Sequence, residues 1–198
     1  EIYTLSLHDA LPIFSRIAAA EEGGILAFLP GMREILRVRE ALTDPASPAA
    51  LPAGTEVLVL HGSLPLEDQR KVLRPPEGRG RRRVVLSTSL AETSLTVPDV
   101  RIVLDSGWTR TERFHPRTGM NRLVTERVGL PAAEQRKGRA GRLGPGLCVR
   151  FWEESLPLRE RQEPEIVRSD LAGLVLECAA WGARNPEDLE WLDPPPPG

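Results

Sequence analysis

Short apolar runs alternate with amphipathic stretches along most of the chain. The runs read as nearly continuous apolar segments, as expected for strands buried on both faces of a sheet. The predicted strands are 25–29, 56–60, 83–86 and 101–104. The stretches 32–42 and 65–73 have apolar residues on one side and charges on the other, which predicts helices. This alternation predicts βαβ units and a parallel sheet, with ligands at the carboxyl ends of the strands.

The pattern changes in the second half of the chain. The stretch 108–127 lacks a helical period and has P-R-T-G at its centre, which predicts a β-hairpin. A helix is predicted over 132–143 and a strand over 147–151. Near the end, 170–181 predicts a helix that is apolar over most of its surface and needs a partner to bury it. The predicted fold class is α/β, a parallel sheet with helices on both faces.

Three segments of the chain differ in character. Residues 1–14 contain the only tyrosine, show no clean period and resemble translated sequencing-adapter DNA, so we expect a non-native leader. Residues 15–153 carry the alternation of strands and helices and form the main domain. Beyond Trp152 the chain becomes polar and contains prolines, which indicates a domain boundary. Residues 154–198 are expected to be the start of a second, mainly helical domain that is truncated.

Composition narrows the classes of function. The 198 residues are 40% hydrophobic and 27% charged, with a net charge of −2, so any nucleic-acid binding must come from local patches. Cys148 and Cys178 lack metal-ligand spacing and read as buried thiols in a reducing compartment, so we expect a cytoplasmic protein. No segment approaches the ~20 apolar residues of a membrane span. We therefore expect neither a metal site nor a membrane partner.

The strongest candidate for chemistry is the stretch 133–146, A-E-Q-R-K-G-R-A-G-R-L-G-P-G. On the predicted helix Gln135, Arg139 and Arg142 share one face, which then carries an amide and two guanidiniums. Such a face suits a nucleoside triphosphate, because arginine offers a rigid fork to phosphate oxygens and glutamine can orient an attacking water. Gly138 and Gly141 lack side chains, so a ligand or another backbone can approach closely. The alternative is a solvated basic helix face.

The segment Q-R-K-G-R-A-G-R closely resembles motif VI of superfamily 2 helicases in the DEAH-box form. In chain order, I-L-A-F-L-P-G-M-R-E-I resembles motif IV, S-T-S-L-A-E-T-S-L-T-V-P-D resembles motif V, and R-F-H-P-R-T-G-M-N-R-L resembles the family's hairpin. The resemblance covers about residues 23–198, and the C-terminal part resembles one bacterial member in particular. It implies that 15–153 is the second of two RecA-like lobes and that 154–198 is the start of a winged-helix domain.

The resemblance implies an ATP-dependent RNA helicase with ATP and Mg²⁺ as cofactors. This chain contains neither G-x-x-x-x-G-K-[ST] nor D-E-A-H, so the Mg²⁺ ligands are expected in an absent first lobe. The fragment alone is expected to be inactive. Its implied partners are the first RecA-like lobe of the same protein and a single strand of RNA, with DNA left open.

The resemblance also assigns roles at the nucleotide. Gln135 is expected to position the lytic water, and Arg139 and Arg142 to contact the γ-phosphate, with Arg142 as the arginine finger. The other residues expected to contact the nucleotide are Thr96 at the ribose, Ser94 as a sensor of the nucleotide state, and Gly138.

Nucleic-acid contacts are expected from three places. Small hydroxyls in the motif V loop suit phosphate and sugar contacts, which position a strand without reading its sequence. The turn after the first strand adds contacts, and the hairpin adds base stacking. The expected residues are Gly31, Arg33, Ser87, Thr88, Arg113, Phe114 and Arg117. The alternatives are a hydroxyl-rich turn that caps the next element and, at Gly31, an ordinary strand-to-helix turn.

A rival function from another class is a non-enzymatic module that docks nucleic acid or protein through a helicase-like fold. The presence of Gln135, Arg139 and Arg142 together argues against it, since a degenerate lobe has no reason to keep all three. The two functions differ in whether the full-length protein hydrolyses ATP.

Overall fold

A parallel β-sheet forms the centre of the fold. A computed structural model describes residues 7–76, 81–92, 95–142 and 144–196. Their strands are β1 (Gly24–Phe28), β2 (Glu56–Leu60), β3 (Arg83–Ser87), β4 (Val100–Asp105), β5 (Trp108–His115), β6 (Met120–Arg127) and β7 (Leu147–Arg150). One sheet has the order β2–β3–β1–β4–β7, and its neighbouring strands are parallel. The predicted parallel sheet is confirmed.

Helices cover both faces of this sheet. They are α1 (Leu7–Ala20), α2 (Met32–Thr43), α3 (Leu66–Leu73), α4 (Leu130–Gly138), α5 (Glu165–Arg168) and α6 (Ala172–Ala180). Phe14 of α1 shares a core cluster with Ile25 of β1. On the opposite face Val72 of α3 and Ala140, just beyond α4, share a second cluster with Leu26. Because neighbouring strand residues point to opposite faces, Ile25 and Leu26 mark the two layers. The predicted helices on both faces are confirmed.

One row of cross-strand partners lies at the carboxyl end of the sheet. Across the strands the row is Leu60, Ser87, Phe28, Asp105 and Arg150. Phe28 belongs to the core cluster on the α3 face, and Ser87 and Asp105 lie on that face two residues after cluster members in their own strands. Two polar side chains are thereby fixed at the edge where parallel sheets collect ligands.

Helix α1 crosses the leader boundary suggested at residue 14. It begins at Leu7, contains Pro12, and buries Phe14 with only 1% of the residue exposed. The rings of Phe14 and Phe151 lie 6.4 Å apart between centroids. The sequence predicts the end of a helix at 16–22, before Gly23 and Gly24, and α1 confirms it. The first half of α1 was not predicted, because Pro12 interrupts its period. The non-native origin of residues 1–14 stays a prediction, although part of that segment packs in the core.

The predicted hairpin is confirmed, with β5 and β6 paired around the turn at 116–119. The described chain separates into two compact units. The first unit runs to Thr109 and resumes over Arg127–Glu160, and the second contains Arg110–Glu126 and the residues from Arg161 onward. The sequence division at 153 placed the hairpin in the main domain, whereas the structure groups it with the C-terminal segment.

Polar contacts within the second unit link the hairpin to the C-terminal segment. Arg113 of β5 forms an ion pair with Glu163 at 2.7 Å, and Arg168 of α5 donates a hydrogen bond to the Glu112 carbonyl. The helix predicted over 170–181 is observed as α6. In the described part of 154–198, α5, α6 and a short 3-10 turn at Pro186–Asp188 are the regular elements. The winged-helix assignment of this segment stays a prediction.

Candidate functional site

Helix α4 carries the arginine-rich stretch and ends earlier than the sequence pattern indicates. It ends at Gly138 rather than at residue 143. The N–H groups of Arg139 and Ala140 donate to carbonyls three residues earlier, so the final turn tightens. Gln135 and Arg142 are exposed, whereas Arg139 is only 7% exposed. The prediction that Gln135, Arg139 and Arg142 share one helix face is wrong, because the two arginines lie beyond the helix.

Arg139 is held by the loop that follows β3. Its Nη1 donates to the Leu95 carbonyl at 2.9 Å, and its Nε (at 2.8 Å) and Nη2 donate to the Glu92 carbonyl. Burial lowers the pKa of the Arg139 guanidinium. Contact of Arg139 with a γ-phosphate stays a prediction, because three of its five N–H groups are bonded to these carbonyls and only 7% of the residue is exposed.

Arg142 and Thr96, which the resemblance assigns to the γ-phosphate and the ribose, are neighbours. Arg142 Nη1 donates to Thr96 Oγ1 at 2.6 Å, and both residues are exposed. Arg142 and Arg139 also line one small hollow with Leu95. Two residues from different motifs therefore meet at the surface of the lobe. Ser94, the predicted sensor of the nucleotide state, lies outside the described residues.

Gly138 and Gly141 leave open space beside these arginines. A Cβ built on either glycine meets no other atom of the described chain within 4 Å. Neither glycine has a positive φ, so neither packing nor backbone conformation requires a glycine there. The described chain leaves the space beside Gly138 open, and the contact of Gly138 with the nucleotide stays a prediction.

We expect Gly138→Ala to stabilise the lobe slightly and to lower ATP turnover in the full-length protein. Alanine for this helical glycine raises the free energy of unfolding by about 0.4–1 kcal/mol. If Gly138 contacts the nucleotide as predicted, a methyl group there displaces the phosphate, and a misplacement of roughly 1 Å costs about 10²-fold in rate. Thermal unfolding and steady-state turnover measure the two effects. Gly173→Ala in α6, where a Cβ also meets nothing, is the matched control. Equal turnover in the two variants contradicts this prediction.

A buried charge cluster, which sequence reasoning missed, lies beneath the exposed residues. Arg136 is fully buried, and its Nη1 donates to Asp105 Oδ1 at 2.7 Å. Its Nε and Nη2 lie 2.7 and 2.6 Å from Glu92 Oε1. Nη1 also lies 3.3 Å from the Trp108 carbonyl oxygen, and the guanidinium stacks 5.0 Å from the Phe28 ring centroid. One arginine thus joins α4 to the loop after β3 and to the end of β4.

Burial raises the pKa of the Glu92 carboxyl, and the ion pair with Arg136 opposes that rise. The sequence signal that could have found this cluster is Asp105, because it directly continues the largely apolar strand V-R-I-V-L. A carboxylate that extends a buried strand needs a positive partner. The sequence does not say which of the many arginines supplies it.

Ser87 and Thr88 of motif V differ in position and exposure: Ser87 is the last residue of β3 rather than a loop residue, and Thr88 follows the strand. Ser87 is fully buried, and its Oγ donates to the Leu60 carbonyl at 3.0 Å. The predicted nucleic-acid contact of Ser87 is at odds with this burial, because its hydroxyl is not exposed to a ligand and instead bonds β3 to the end of β2. Thr88 is half-buried at the start of the 3-10 helix Ser89–Ala91, and its side chain makes no capping hydrogen bond. The capping alternative therefore does not account for the Thr88 hydroxyl.

Gly31 and Arg33 lie at the start of α2. Gly31 is buried in extended backbone as the residue before the helix, and its carbonyl accepts the Ile35 N–H at 3.0 Å. This geometry is that of a strand-to-helix turn. The Arg33 side chain is exposed, so it can reach a ligand beyond that turn.

The three predicted hairpin contacts have different surroundings. Arg113 Nη2 lies 2.7 Å from Glu163 and 3.1 Å from Glu126, and these carboxylates raise the pKa of Arg113 above its ordinary value. Its charge is therefore largely neutralised. Phe114 is half-buried, and Arg117 is exposed in the turn. Within the hairpin, Arg117 is the better placed of the two arginines for meeting a phosphate.

No metal centre is found in the residues that the structure describes, because no three His, Cys, Asp or Glu side chains come together there. These residues do not fit a Mg²⁺ ion by themselves, and the location of its ligands in a first lobe stays a prediction. Among the described helices, none has both the length and the apolar character needed to cross a bilayer.

Comparison with known proteins gives consistent matches. The family model described as "Helicase conserved C-terminal domain" matches residues 9–144. The ATP-dependent RNA helicase HrpB of Escherichia coli (strain K12) is 46% identical over 180 residues, which are 89% of this chain and 21% of that protein. The probable ATP-dependent RNA helicase DHX34 of Homo sapiens is 40% identical over 181 residues, which are 89% of this chain and 15% of that protein.

Solved structures agree with these relatives. A crystal structure of E. coli HrpB matches with a TM-score of 0.86 and 39% identity, over 99% of this chain and 24% of that chain. HrpB is the bacterial member that the C-terminal part of the sequence resembles, so that expectation is confirmed. The chain spans about a fifth of the length of HrpB.

Proposed function

The chain belongs to the helicase conserved C-terminal domain family, among the DEAH-box RNA helicases, and we propose that it acts as the second RecA-like lobe of an ATP-dependent RNA helicase. Its parallel sheet matches that of the HrpB structure. Because the chain spans 21% of HrpB, the activity, substrate and partners of the whole protein belong to the proposal.

In this proposal ATP binds between this lobe and a first RecA-like lobe of the same protein. The first lobe holds the P-loop and the Mg²⁺ ligands, since the sequence of this chain contains neither the P-loop nor the D-E-A-H motif. Residues 1–198 alone then hydrolyse no ATP. The partner strand is single-stranded RNA, with single-stranded DNA as the competitor to test, and the protein works in the cytoplasm.

Arg142 is the proposed arginine finger of this lobe. It is exposed, and the partner of its Nη1 is the neutral hydroxyl of Thr96. An anionic phosphate makes a stronger hydrogen bond with a guanidinium than a hydroxyl does, so exchange of partners is favourable. Gln135, exposed on α4, orients the attacking water, and Thr96 contacts the ribose once Arg142 has moved. Arg139 is the second γ-phosphate contact, after release of a loop carbonyl.

The proposed RNA contacts are made to the backbone. The Thr88 hydroxyl and the Arg33 guanidinium bind phosphate or sugar oxygens, beside the turn at Gly31. In the second unit, Arg117 binds phosphate and Phe114 stacks on a base, a contact worth about 1–3 kcal/mol. These contacts do not read base edges, so the preference for particular sequences is weak.

The observation that carries this proposal is the exposed 2.6 Å contact between Arg142 and Thr96 on a lobe that matches helicase structures. The test is ATP hydrolysis by the full-length protein with and without single-stranded RNA or DNA, beside residues 1–198 alone. We expect RNA to raise turnover by the full-length protein, and no turnover by the fragment. Absence of hydrolysis by the full-length protein contradicts the proposal and favours the non-enzymatic binding module.

A further inference from the structure

Arg136 connects the residues proposed to face the nucleotide with the loop proposed to face RNA. It follows Gln135 directly in α4, and its guanidinium bonds to the Glu92 carboxylate. Glu92 lies in the loop that begins at Thr88. The same residue is held a second time, because Arg139 donates to its backbone carbonyl. Arg136 therefore holds Glu92 by its side chain, and Arg139 holds the same residue by its main chain.

The two carboxylates of the Arg136 cluster lie in different parts of the fold. Asp105 is fully buried in β4, and its Oδ1 also accepts the Gly107 N–H at 2.9 Å. This carboxylate is fixed to the sheet. The Glu92 side chain is 14% exposed and belongs to a loop. The pair of Arg136 with Asp105 thus ties α4 to the sheet, and the pair with Glu92 ties α4 to the loop after β3.

We infer that Arg136 is a positioning residue whose bond to Glu92 transmits the state of the nucleotide to the RNA-contacting loop. The inference rests on the proposed function and names the residues that couple nucleotide binding to RNA binding. A γ-phosphate that draws Arg139 from the Glu92 carbonyl changes the main-chain hold on the loop. Arg136 keeps the Glu92 side chain attached to α4, so the loop follows the helix. If ATP binding raises the affinity for RNA through this loop position, RNA binding raises the affinity for ATP by the same factor.

The test uses Glu92→Gln in the full-length protein. Glutamine keeps the size and an oxygen acceptor but removes the charge, while Arg136 retains Asp105. We expect the ratio of RNA-stimulated to basal ATP turnover to fall about 10-fold, with RNA affinity in the absence of nucleotide unchanged. Glu134→Gln is the matched control. Glu134 lies in α4 with Arg136, but it pairs with Arg150 at 2.7 Å on the surface. Its ratio should equal that of the wild type.

A second variant covers the case in which Glu92→Gln lowers the melting temperature. Arg136→Lys keeps a positive charge beside Asp105 but cannot span both carboxylates, so it should lower the same ratio. If the wild type is stimulated by RNA and the folded variants keep its ratio, the inference is overturned while the proposed function stands. If the wild type hydrolyses no ATP, the proposed function fails, and the inference fails with it.

Discussion

Arg142→Ala in the full-length protein should lower RNA-stimulated ATP turnover by roughly 10³-fold or more, the usual effect of losing an arginine finger. The guanidinium is exposed and lies against a neutral hydroxyl, so the change removes no buried ion pair. Stability and RNA affinity should therefore be retained. Steady-state turnover at saturating RNA, together with RNA binding measured by fluorescence anisotropy, checks both parts.

Arg37→Ala is the matched control for Arg142→Ala. Arg37 is exposed on α2, which packs against the opposite face of the sheet, so the variant loses the same charge away from the proposed nucleotide contacts, and saturating RNA removes any effect on RNA affinity. Its turnover should equal that of the wild type. If Arg142→Ala hydrolyses ATP as fast as Arg37→Ala, Arg142 is not the finger.

Arg136→Ala should destabilise the lobe by about 3–5 kcal/mol, because it leaves the carboxylates of Asp105 and Glu92 without their buried positive partner. It also removes the cation stacked on Phe28 and opens a cavity beneath α4. Hydrogen exchange of the slowest amides in β1 and β4 measures this loss within the full-length protein.

The same exchange measurement on Arg37→Ala provides the reference. A surface substitution of this kind changes stability by less than about 0.5 kcal/mol. A loss in Arg136→Ala no larger than that of Arg37→Ala would mean that the cluster does not stabilise the sheet. This expected loss is also the reason why the coupling test uses Glu92→Gln rather than an alanine at Arg136.

The sheet could be predicted from the sequence because its strands are nearly continuous apolar runs, and parallel strands buried on both faces have that pattern. The hairpin could be predicted because P-R-T-G separates two polar, strand-like segments. Both signals are local. The strand-to-helix turn at Gly31 was recognised as an alternative for the same reason, since the turn follows directly from the end of β1.

The end of α4 could not be predicted from its pattern of side chains. The sequence favours a continuous helix through Arg142, but Gly138 and Gly141 weaken the final turns and allow the chain to leave the helix at Gly138. The consequence for the site is large. Arg139 turns inward to the carbonyls of Glu92 and Leu95, and Arg142 reaches Thr96 instead of sharing a face with Gln135.

The burial of Arg136 and Ser87 also depends on residues far away in the chain. Glu92 and Arg136 are 44 residues apart, and Ser87 and Leu60 are 27 apart. Nothing in either local sequence distinguishes a buried arginine or serine from an exposed one. A family resemblance gives candidate residues, but the contacts in the fold decide which side chains remain exposed to a ligand.

Affinity for a transition-state mimic tests most directly whether Arg142 recognises the charge that develops on the γ-phosphate. Binding of ADP alone and of ADP with aluminium fluoride would be compared in the wild type and in Arg142→Ala, each as full-length protein with single-stranded RNA. The wild type should bind the mimic at least about 10²-fold more tightly than ADP. In Arg142→Ala most of this difference should disappear while ADP affinity stays the same. An unchanged difference in Arg142→Ala would contradict the assignment of Arg142 as the arginine finger.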